Sequence, residues 1–241
     1  MHDVLKPHTR MPDDVLRIVH RVVDEAVDVA AACASLEAAV RLGATFAEAD
    51  CRQTADGVLV SRHAPRGRAA GAWLVEAEAA AVPDELRLED VMAGVAAVGL
   101  GLYLDVKALD ARGRPELERL LDGHPDLPCV LASHRGEVLL GLQGLDRPLS
   151  ILYYSVDEDP AEVAASCRAQ FVHPCWERLD DPAAVLADGH LRRAREAGLG
   201  VVTWHEERPA QLTALLRLGV DGICTDDAAL LLTAVGELRG A

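Results

Sequence analysis

The feature of this chain that most restricts its fold is a repeated alternation of short apolar runs with longer amphipathic stretches. The short runs are rich in Val, Ile and Leu, and most of the intervening stretches are long enough for a helix. Such alternation is typical of βαβ units, in which a helix connects two parallel strands. It predicts eight strands, at residues 17–20, 45–50, 100–107, 129–133, 149–155, 170–174, 200–205 and 222–225.

Three of the connecting stretches carry clear helix signals. Helices are predicted at residues 24–42, 182–197 and 209–218. The last two are followed by Gly198 and Gly219, and glycine is common just after a helix C-terminus.

Eight strand–helix repeats favour a closed (β/α)8 TIM barrel over an open doubly wound sheet. No Gly-x-Gly-x-x-Gly follows any predicted strand, so a dinucleotide-binding sheet would lack its phosphate-binding turn. The run of residues 63–89, which contains several Pro and Gly residues, is predicted to be a short excursion between the second and third barrel strands. A length of 241 residues suits one barrel, and we expect a single domain over residues 1–241.

The charge and cysteine pattern narrows the class of function. A formal net charge of −15 argues against nucleic-acid binding, because phosphate backbones are held by surplus Lys and Arg. Residues 1–10 are polar, and no apolar run is long enough to span a bilayer. The six cysteines are scattered without a Cys-x-x-Cys pair, as expected of reduced core thiols. A cytoplasmic protein is therefore predicted, and its oligomeric state stays open.

Acidic residues stand near the ends of two predicted strands, where TIM barrels carry their chemistry. Glu48 and Asp50 are two residues apart, as are Asp105 and Lys107, so each pair lies on one face of its strand. Three carboxylates converging at a barrel mouth would repel one another unless a cation joined them. Oxygen ligands favour Mg2+ or Ca2+. The alternative is an ion-pair network of these carboxylates with Lys107 and Arg21, without a metal.

Two histidines occupy similar positions. His20 ends the first predicted strand, and His63 ends the extended segment that follows Glu48 and Asp50. A lone histidine at a strand end is more often a structural hydrogen-bonding residue than a catalyst. Two histidines beside a cation site, however, can supply a general acid and a general base near neutral pH. Their coincidence favours a catalytic interpretation.

Two sequence blocks carry a resemblance to a known family. The first is Gly-Ala-Thr-Phe-Ala-Glu-Ala-Asp at residues 43–50, followed by Thr-Ala-Asp-Gly at 54–57 and by His63. The second is Leu-Gly-Val-Asp-Gly-Ile-Cys-Thr-Asp at residues 218–226. Together with the His-Arg pair that begins at His20, they resemble the glycerophosphodiester phosphodiesterase family. The resemblance extends over about residues 17–231.

The resemblance implies an enzyme of lipid metabolism that hydrolyses glycerophosphodiesters, or a related small phosphodiester, to an alcohol and a phosphomonoester. In the mechanism usually drawn for the family, a neighbouring glycerol hydroxyl attacks phosphorus, and water then opens the cyclic phosphate. Carried over by position, the family's site residues are the ligands of a Mg2+ or Ca2+ ion (Glu48, Asp50, Asp105), the general acid and base (His20, His63) and the substrate-binding residues (Arg21, Lys107, Trp204).

The chain also departs from the family pattern. The family's Pro-Glu-Asn-Thr segment is absent at residues 29–32, and Asp105 stands where Glu is usual. Glu206 and Glu207 are expected to add negative charge at the rim, which would oppose an anionic substrate.

These departures keep two alternatives open. The chain would be a catalytically impaired family member that serves as a ligand-binding or regulatory barrel, or it would perform a lysophospholipase D-type cleavage at the same site. Asp24 and Glu25 are candidates to replace the lost polar pair in space.

Overall fold

The short apolar runs form parallel strands, and these strands pair side by side into a closed sheet. The structure is a computed structural model that describes residues 14–24, 26–68 and 71–239. Its strands are β1 (Leu16–Val19), β2 (Phe46–Gln53), β3 (Leu59–Ser61), β4 (Gly101–Val106), β5 (Cys129–Ser133), β6 (Leu149–Tyr153), β7 (Phe171–Pro174), β8 (Gly200–Thr203) and β9 (Gly222–Thr225). The order is β1-β9-β8-β7-β6-β5-β4-β2-β3, and β1 also pairs with β2. That pairing closes eight parallel strands into a ring, so the predicted (β/α)8 TIM barrel is confirmed.

Helices cover the outside of the ring. They are α1 (Val29–Arg41), α2 (Leu88–Ala97), α3 (Arg114–Gly123), α4 (Gly136–Gly141), α5 (Pro160–Cys167), α6 (Pro182–Val185), α7 (Leu191–Glu196), α8 (Pro209–Leu218) and α9 (Ala228–Arg239). Two single turns of 3-10 helix, Leu74–Glu76 and Ala79–Ala81, lie in the excursion between β3 and α2. Within the described ranges, every helix is too short or too polar to cross a membrane.

Two of the predicted helices differ from the observed ones. The first begins at Val29, because the side chain of Asp28 accepts a hydrogen bond from the backbone N–H of Ala31 and caps the helix there. The predicted helix at residues 182–197 is divided between α6 and α7. The chain kinks between them at Asp188 and Gly189, and Gly189 has a φ of 99°.

The inside of the barrel is filled mainly by apolar side chains from alternate strand positions. Its large buried members are Leu16, Ile18, Phe46, Tyr103, Val130, Leu152, Phe171 and Val202. A small polar network interrupts this packing: the Tyr103 hydroxyl donates to Ser150 Oγ at 2.6 Å and bonds His173 Nδ1 at 2.8 Å. The Tyr103 hydroxyl therefore has partners although the ring is fully buried.

The excursion after β2 forms one wall beside the barrel mouth. β3 returns antiparallel along β2, and the turn before it uses Gly57 with a φ of 85°. Further along, the buried carboxylate of Glu85 accepts the backbone N–H of Arg68 at 2.5 Å and faces the guanidinium groups of Arg62 and Arg68. This carboxylate ties two parts of the excursion together. The predicted position of the excursion, between the second and third barrel strands, agrees with the structure.

Candidate active site

Three buried carboxylates meet at the C-terminal mouth of the barrel. Glu48 and Asp50 lie on β2, and Asp105 is the register partner of Asp50 on the neighbouring β4. All three residues are at most 2% exposed. One ligand oxygen from each lies within 4.8 Å of the other two, so the two-residue spacing predicted their convergence correctly.

Two of these carboxylates each keep one buried oxygen that accepts no hydrogen bond. These atoms are Glu48 Oε1 and Asp105 Oδ1. Buried carboxylate oxygens without a donor are costly, and a cation relieves that cost. Three converging oxygens on separate side chains match the donor preference of a hard divalent ion such as Mg2+ or Ca2+. The residues present therefore fit such an ion.

Two basic residues balance part of the negative charge. Lys107 Nζ lies 2.8 Å from Asp50 Oδ1 and also contacts Asp105 Oδ2. Arg21 Nε lies 3.4 Å from Asp50 Oδ2. Arg21 has a φ of 46°, and in this left-handed conformation its backbone N–H donates to Glu48 Oε2 at 2.6 Å. The ion-pair network considered as the alternative to a metal is thus present, but it leaves Glu48 Oε1 and Asp105 Oδ1 without hydrogen bonds.

The pKa values of the three carboxyl groups move in different directions. Burial, with the nearby charges of Asp50 and Asp105, raises the pKa of Glu48 well above its usual value. Burial also raises the pKa of Asp105. For Asp50, burial acts upward, but bonds to His63 and Lys107 outweigh it and lower its pKa to about 2. A cation bound at the three oxygens would favour the ionised forms of all three.

Both ring nitrogens of His63 and its backbone have polar partners. Its Nδ1 lies 3.0 Å from Asp50 Oδ2, and its Nε2 lies 2.9 Å from Arg21 Nη2. Because a guanidinium only donates, Nε2 accepts and the ring proton belongs on Nδ1, facing Asp50. The backbone N–H of His63 donates to Asp24 Oδ1, and Arg52 donates to its carbonyl. Asp24, which precedes residues 29–32 where the family's polar pair is missing, thus supports His63, while Glu25 lies outside the described residues.

His20 has one engaged nitrogen and one without a partner. Its Nδ1 bonds Asp226 Oδ1 at 2.7 Å, while its buried Nε2 has no hydrogen bond. The ring meets Trp204 edge-on at 4.5 Å and stacks on His205 at 5.1 Å. Burial is the main cause that lowers the pKa of His20 to about 4. His20 is therefore neutral at pH 7, with a lone pair on Nε2 if Nδ1 donates to Asp226.

Contacts join the predicted site residues in two groups. One group surrounds the carboxylates and contains Glu48, Asp50, Asp105, Arg21, Lys107 and His63. The other consists of His20 and Trp204. The two groups lie next to each other, because His20 and Arg21 are consecutive residues at the end of β1.

His205 and Asp226 belong beside His20, and sequence reasoning did not assign them a role. Asp226 directly follows β9 and His205 lies two residues past the end of β8, and this position was the signal available. The expected rim charge was wrong for Glu206: the residue is 3% exposed, and Arg208 pairs with its carboxylate at 2.6 Å. Glu207 is exposed, so its charge remains at the rim.

Fold and site together define a TIM barrel with three converging carboxylates and two histidines at the C-terminal mouth. A family model described as "Glycerophosphoryl diester phosphodiesterase family" matches residues 126–230. That stretch includes β5 to β9 but not the three carboxylates. No curated protein matches this chain.

Solved structures with the same fold carry related names. A glycerophosphodiester phosphodiesterase from Agrobacterium tumefaciens is 20% identical, with a TM-score of 0.72, over 94% of this chain and 100% of that one. One from Parabacteroides distasonis is 17% identical, with a TM-score of 0.75, over 93% and 98%. A phosphodiesterase from Oleispira antarctica, solved with the product sn-glycerol-3-phosphate, is 17% identical, with a TM-score of 0.74, over 91% and 96%.

These matches confirm the resemblance that the sequence motifs carry. This chain has the fold of solved structures named as glycerophosphodiester phosphodiesterases, and it is 20% and 17% identical to the two described above.

Proposed function

We propose that this protein is a metal-dependent phosphodiesterase that hydrolyses glycerophosphodiesters, or a related small phosphodiester, to an alcohol and a phosphomonoester. The observation that carries the proposal is the convergence of three buried carboxylates, two of which keep an oxygen without a hydrogen bond, beside a histidine with a free lone pair. In this proposal Glu48, Asp50 and Asp105 hold Mg2+ or Ca2+. The bound ion would polarise a phosphoryl oxygen and stabilise the charge that develops on it.

The protein's own groups have separable tasks in this proposal. His20 Nε2 accepts the proton of the attacking hydroxyl, because it carries a lone pair and is free of other bonds. Once Arg21 has shifted from Nε2, that nitrogen of His63 takes up a proton from solvent and then donates it to the leaving alcohol, while Nδ1–H stays bonded to Asp50. Arg21 and Lys107 also offset the phosphoryl charge, and Trp204 bounds the substrate beside His20.

One observation favours the second candidate, a catalytically impaired barrel that binds a ligand or regulates a partner. Where the family has Pro-Glu-Asn-Thr, residues 29–32 are Val-Ala-Ala-Ala and form the first turn of α1. That turn offers no polar side chain to the site, and losing supporting polar groups commonly weakens a metal site 10- to 100-fold, roughly. Asp24 supplies one support to His63, which favours the enzyme.

Hydrolysis of glycerophosphocholine and bis(p-nitrophenyl) phosphate separates these candidates. Turnover is expected with Mg2+ or Ca2+, and we expect EDTA to abolish it. Glu48→Gln removes one ligand charge and should lose most of the activity. Glu37→Gln is the matched control, because Glu37 is an exposed carboxylate on α1. Turnover that survives EDTA contradicts metal dependence, and no turnover with any ion supports the impaired barrel.

We also infer a cytoplasmic location and a small-molecule partner. All six cysteines lie in the described part of the chain as free thiols, which suits a reducing compartment. The net charge of −15 disfavours nucleic acid as a partner.

A further inference from the structure

Three neighbouring strands of the barrel are followed by residues of types that bind metals, and these residues lie outside the group of three carboxylates. β1 is followed by His20, β9 by Asp226, and His205 lies two residues past the end of β8. Since β9 lies between β1 and β8 in the sheet, Asp226 stands between the two histidines. The backbone N–H of His20 donates to the Thr225 carbonyl at 2.9 Å, and this bond aligns the end of β1 with the end of β9.

The donor atoms of these residues already face one another. Asp226 Oδ1 lies 2.7 Å from His20 Nδ1, and Asp226 Oδ2 lies 3.5 Å from His205 Nε2. The two imidazole rings are stacked, with an interplanar angle of 28°. One donor atom from each residue lies within 4.8 Å of the other two.

The side chains of the three candidate ligands differ in solvent exposure. The side chain of His20 is 7% exposed, whereas that of His205 is 25% and that of Asp226 53% exposed. Donors bound tetrahedrally at 2.0–2.1 Å from a zinc ion would lie about 3.4 Å apart, so the 2.7 Å contact of His20 with Asp226 must lengthen, whereas the 3.5 Å contact of His205 with Asp226 already fits. The exposed Asp226 carboxylate can move away from the buried His20 ring to make room for the ion. Glu207 Oε1, 3.9 Å from His205 Nε2 and also exposed, can complete the coordination.

We propose that His20, His205 and Asp226 form a second metal site, which takes a borderline transition-metal ion such as Zn2+. Imidazole nitrogen is a favoured ligand for Zn2+ and a poor one for Mg2+ or Ca2+, which prefer oxygen. The site therefore differs in chemistry from the all-oxygen set of Glu48, Asp50 and Asp105.

The site has a consequence for catalysis, which rests on the proposed function. An ion bound to His20 Nδ1 moves the ring proton to Nε2, because a neutral imidazole has one proton and coordination uses the Nδ1 lone pair. Nε2 then donates and no longer accepts a proton. Occupancy of the site by Zn2+ thus inhibits the reaction by removing the general base.

Calorimetric titration of the full chain with Zn2+, in an excess of Mg2+, tests the site independently of activity. Wild type is expected to bind one Zn2+ ion that His205→Asn and Asp226→Asn bind at least tenfold more weakly. His124→Asn is the matched control, because His124 follows α3, away from the cluster, and it should bind as wild type does. Circular dichroism confirms that each variant is folded.

The outcomes separate this site from the proposed function. Equal Zn2+ affinity and stoichiometry in wild type, His205→Asn and Asp226→Asn would overturn the second site, as would the absence of Zn2+ binding to wild type. If the protein hydrolyses phosphodiesters, micromolar Zn2+ should inhibit wild type at least tenfold more strongly than His205→Asn. If it hydrolyses none, the binding titration still decides whether the site exists.

Discussion

At the level of single residues, Lys107 neutralises part of the charge of the same carboxylates that would bind a divalent cation. The ammonium of Lys107 contacts Asp50 and Asp105 in a buried setting. Burial acts against its charge, but those two carboxylates outweigh it and raise its pKa. Lys107 is therefore a permanent counter-charge that stabilises the site when no metal is bound.

Replacing Lys107 should make stability depend on metal. Lys107→Met leaves two buried carboxylates without their main counter-charge, and breaking a buried pair costs about 3–5 kcal/mol. Urea unfolding in EDTA should show a loss of that order, and added Mg2+ should recover part of it. Arg192→Met, which breaks an exposed pair with Glu196, is the control and should change little. Wild-type stability of Lys107→Met in EDTA would contradict this role.

The two histidines should contribute separately to catalysis. His20→Ala removes the acceptor with the free lone pair, and His63→Ala removes the ring bonded to Asp50 and Arg21. Loss of a general acid or base typically reduces kcat about 10²- to 10⁴-fold, and each variant should lie in that range. Steady-state kinetics with saturating Mg2+ measure the effect. A loss below tenfold in either variant would remove that histidine from the mechanism.

At the level of elements, sequence reasoning worked where one local pattern determines the structure. β5 and β9 were predicted at their observed bounds, because continuous apolar runs are typical of strands buried on both faces. α8 was also predicted at its bounds, since Pro209 starts it and Gly219 follows it in the left-handed conformation. The kink at Gly189 was missed because an isolated glycine does not by itself break a helical pattern.

The site was predictable to a similar extent. Glu48, Asp50 and Asp105 were found because a spacing of two residues fixes which side chains share a face of a strand. The pairings of His20 with Asp226 and of Tyr103 with His173 were not found. They depend on which strands become neighbours when the barrel closes, and the sequence spacing of the residues does not reveal that.

The turn before β3 should tolerate no side chain at Gly57. A side chain at Gly57 would meet two obstacles. The backbone φ is 85°, and an added Cβ would lie 2.8 Å from the Arg112 carbonyl oxygen. Gly99 has a φ of 76° but open space around it, so Gly99→Ala isolates the backbone strain of about 1–2 kcal/mol. Gly57→Ala should cost about 1 kcal/mol more than Gly99→Ala in urea unfolding. Equal losses would show that the turn adjusts to the contact.

At the level of the whole molecule, the histidine inside the barrel links stability to pH. Burial lowers the pKa of His173 from 6.5 to about 3. Between those values the unfolded chain binds the proton and the folded chain does not, so this residue lowers stability as pH falls from 6.5 toward 3.

Removing His173 should therefore cost less at low pH than at neutral pH. His173→Asn keeps a donor toward Tyr103 and removes the titrating ring. The pKa difference predicts that the stability gap between wild type and variant narrows by about 3 kcal/mol between pH 7 and pH 4.5. Urea unfolding at both pH values measures the gap. A gap that is the same at the two pH values would show that His173 does not titrate in this way.

The central claim is that the mouth of the barrel holds a divalent cation between three carboxylates, and metal location in a crystal tests it most directly. Crystals soaked in Mn2+, as a stand-in for Mg2+, would be measured for anomalous scattering. The predicted result is a peak bonded to Glu48, Asp50 and Asp105, which Asp105→Asn weakens or removes. Ordered carboxylates with no anomalous peak between them would contradict the claim.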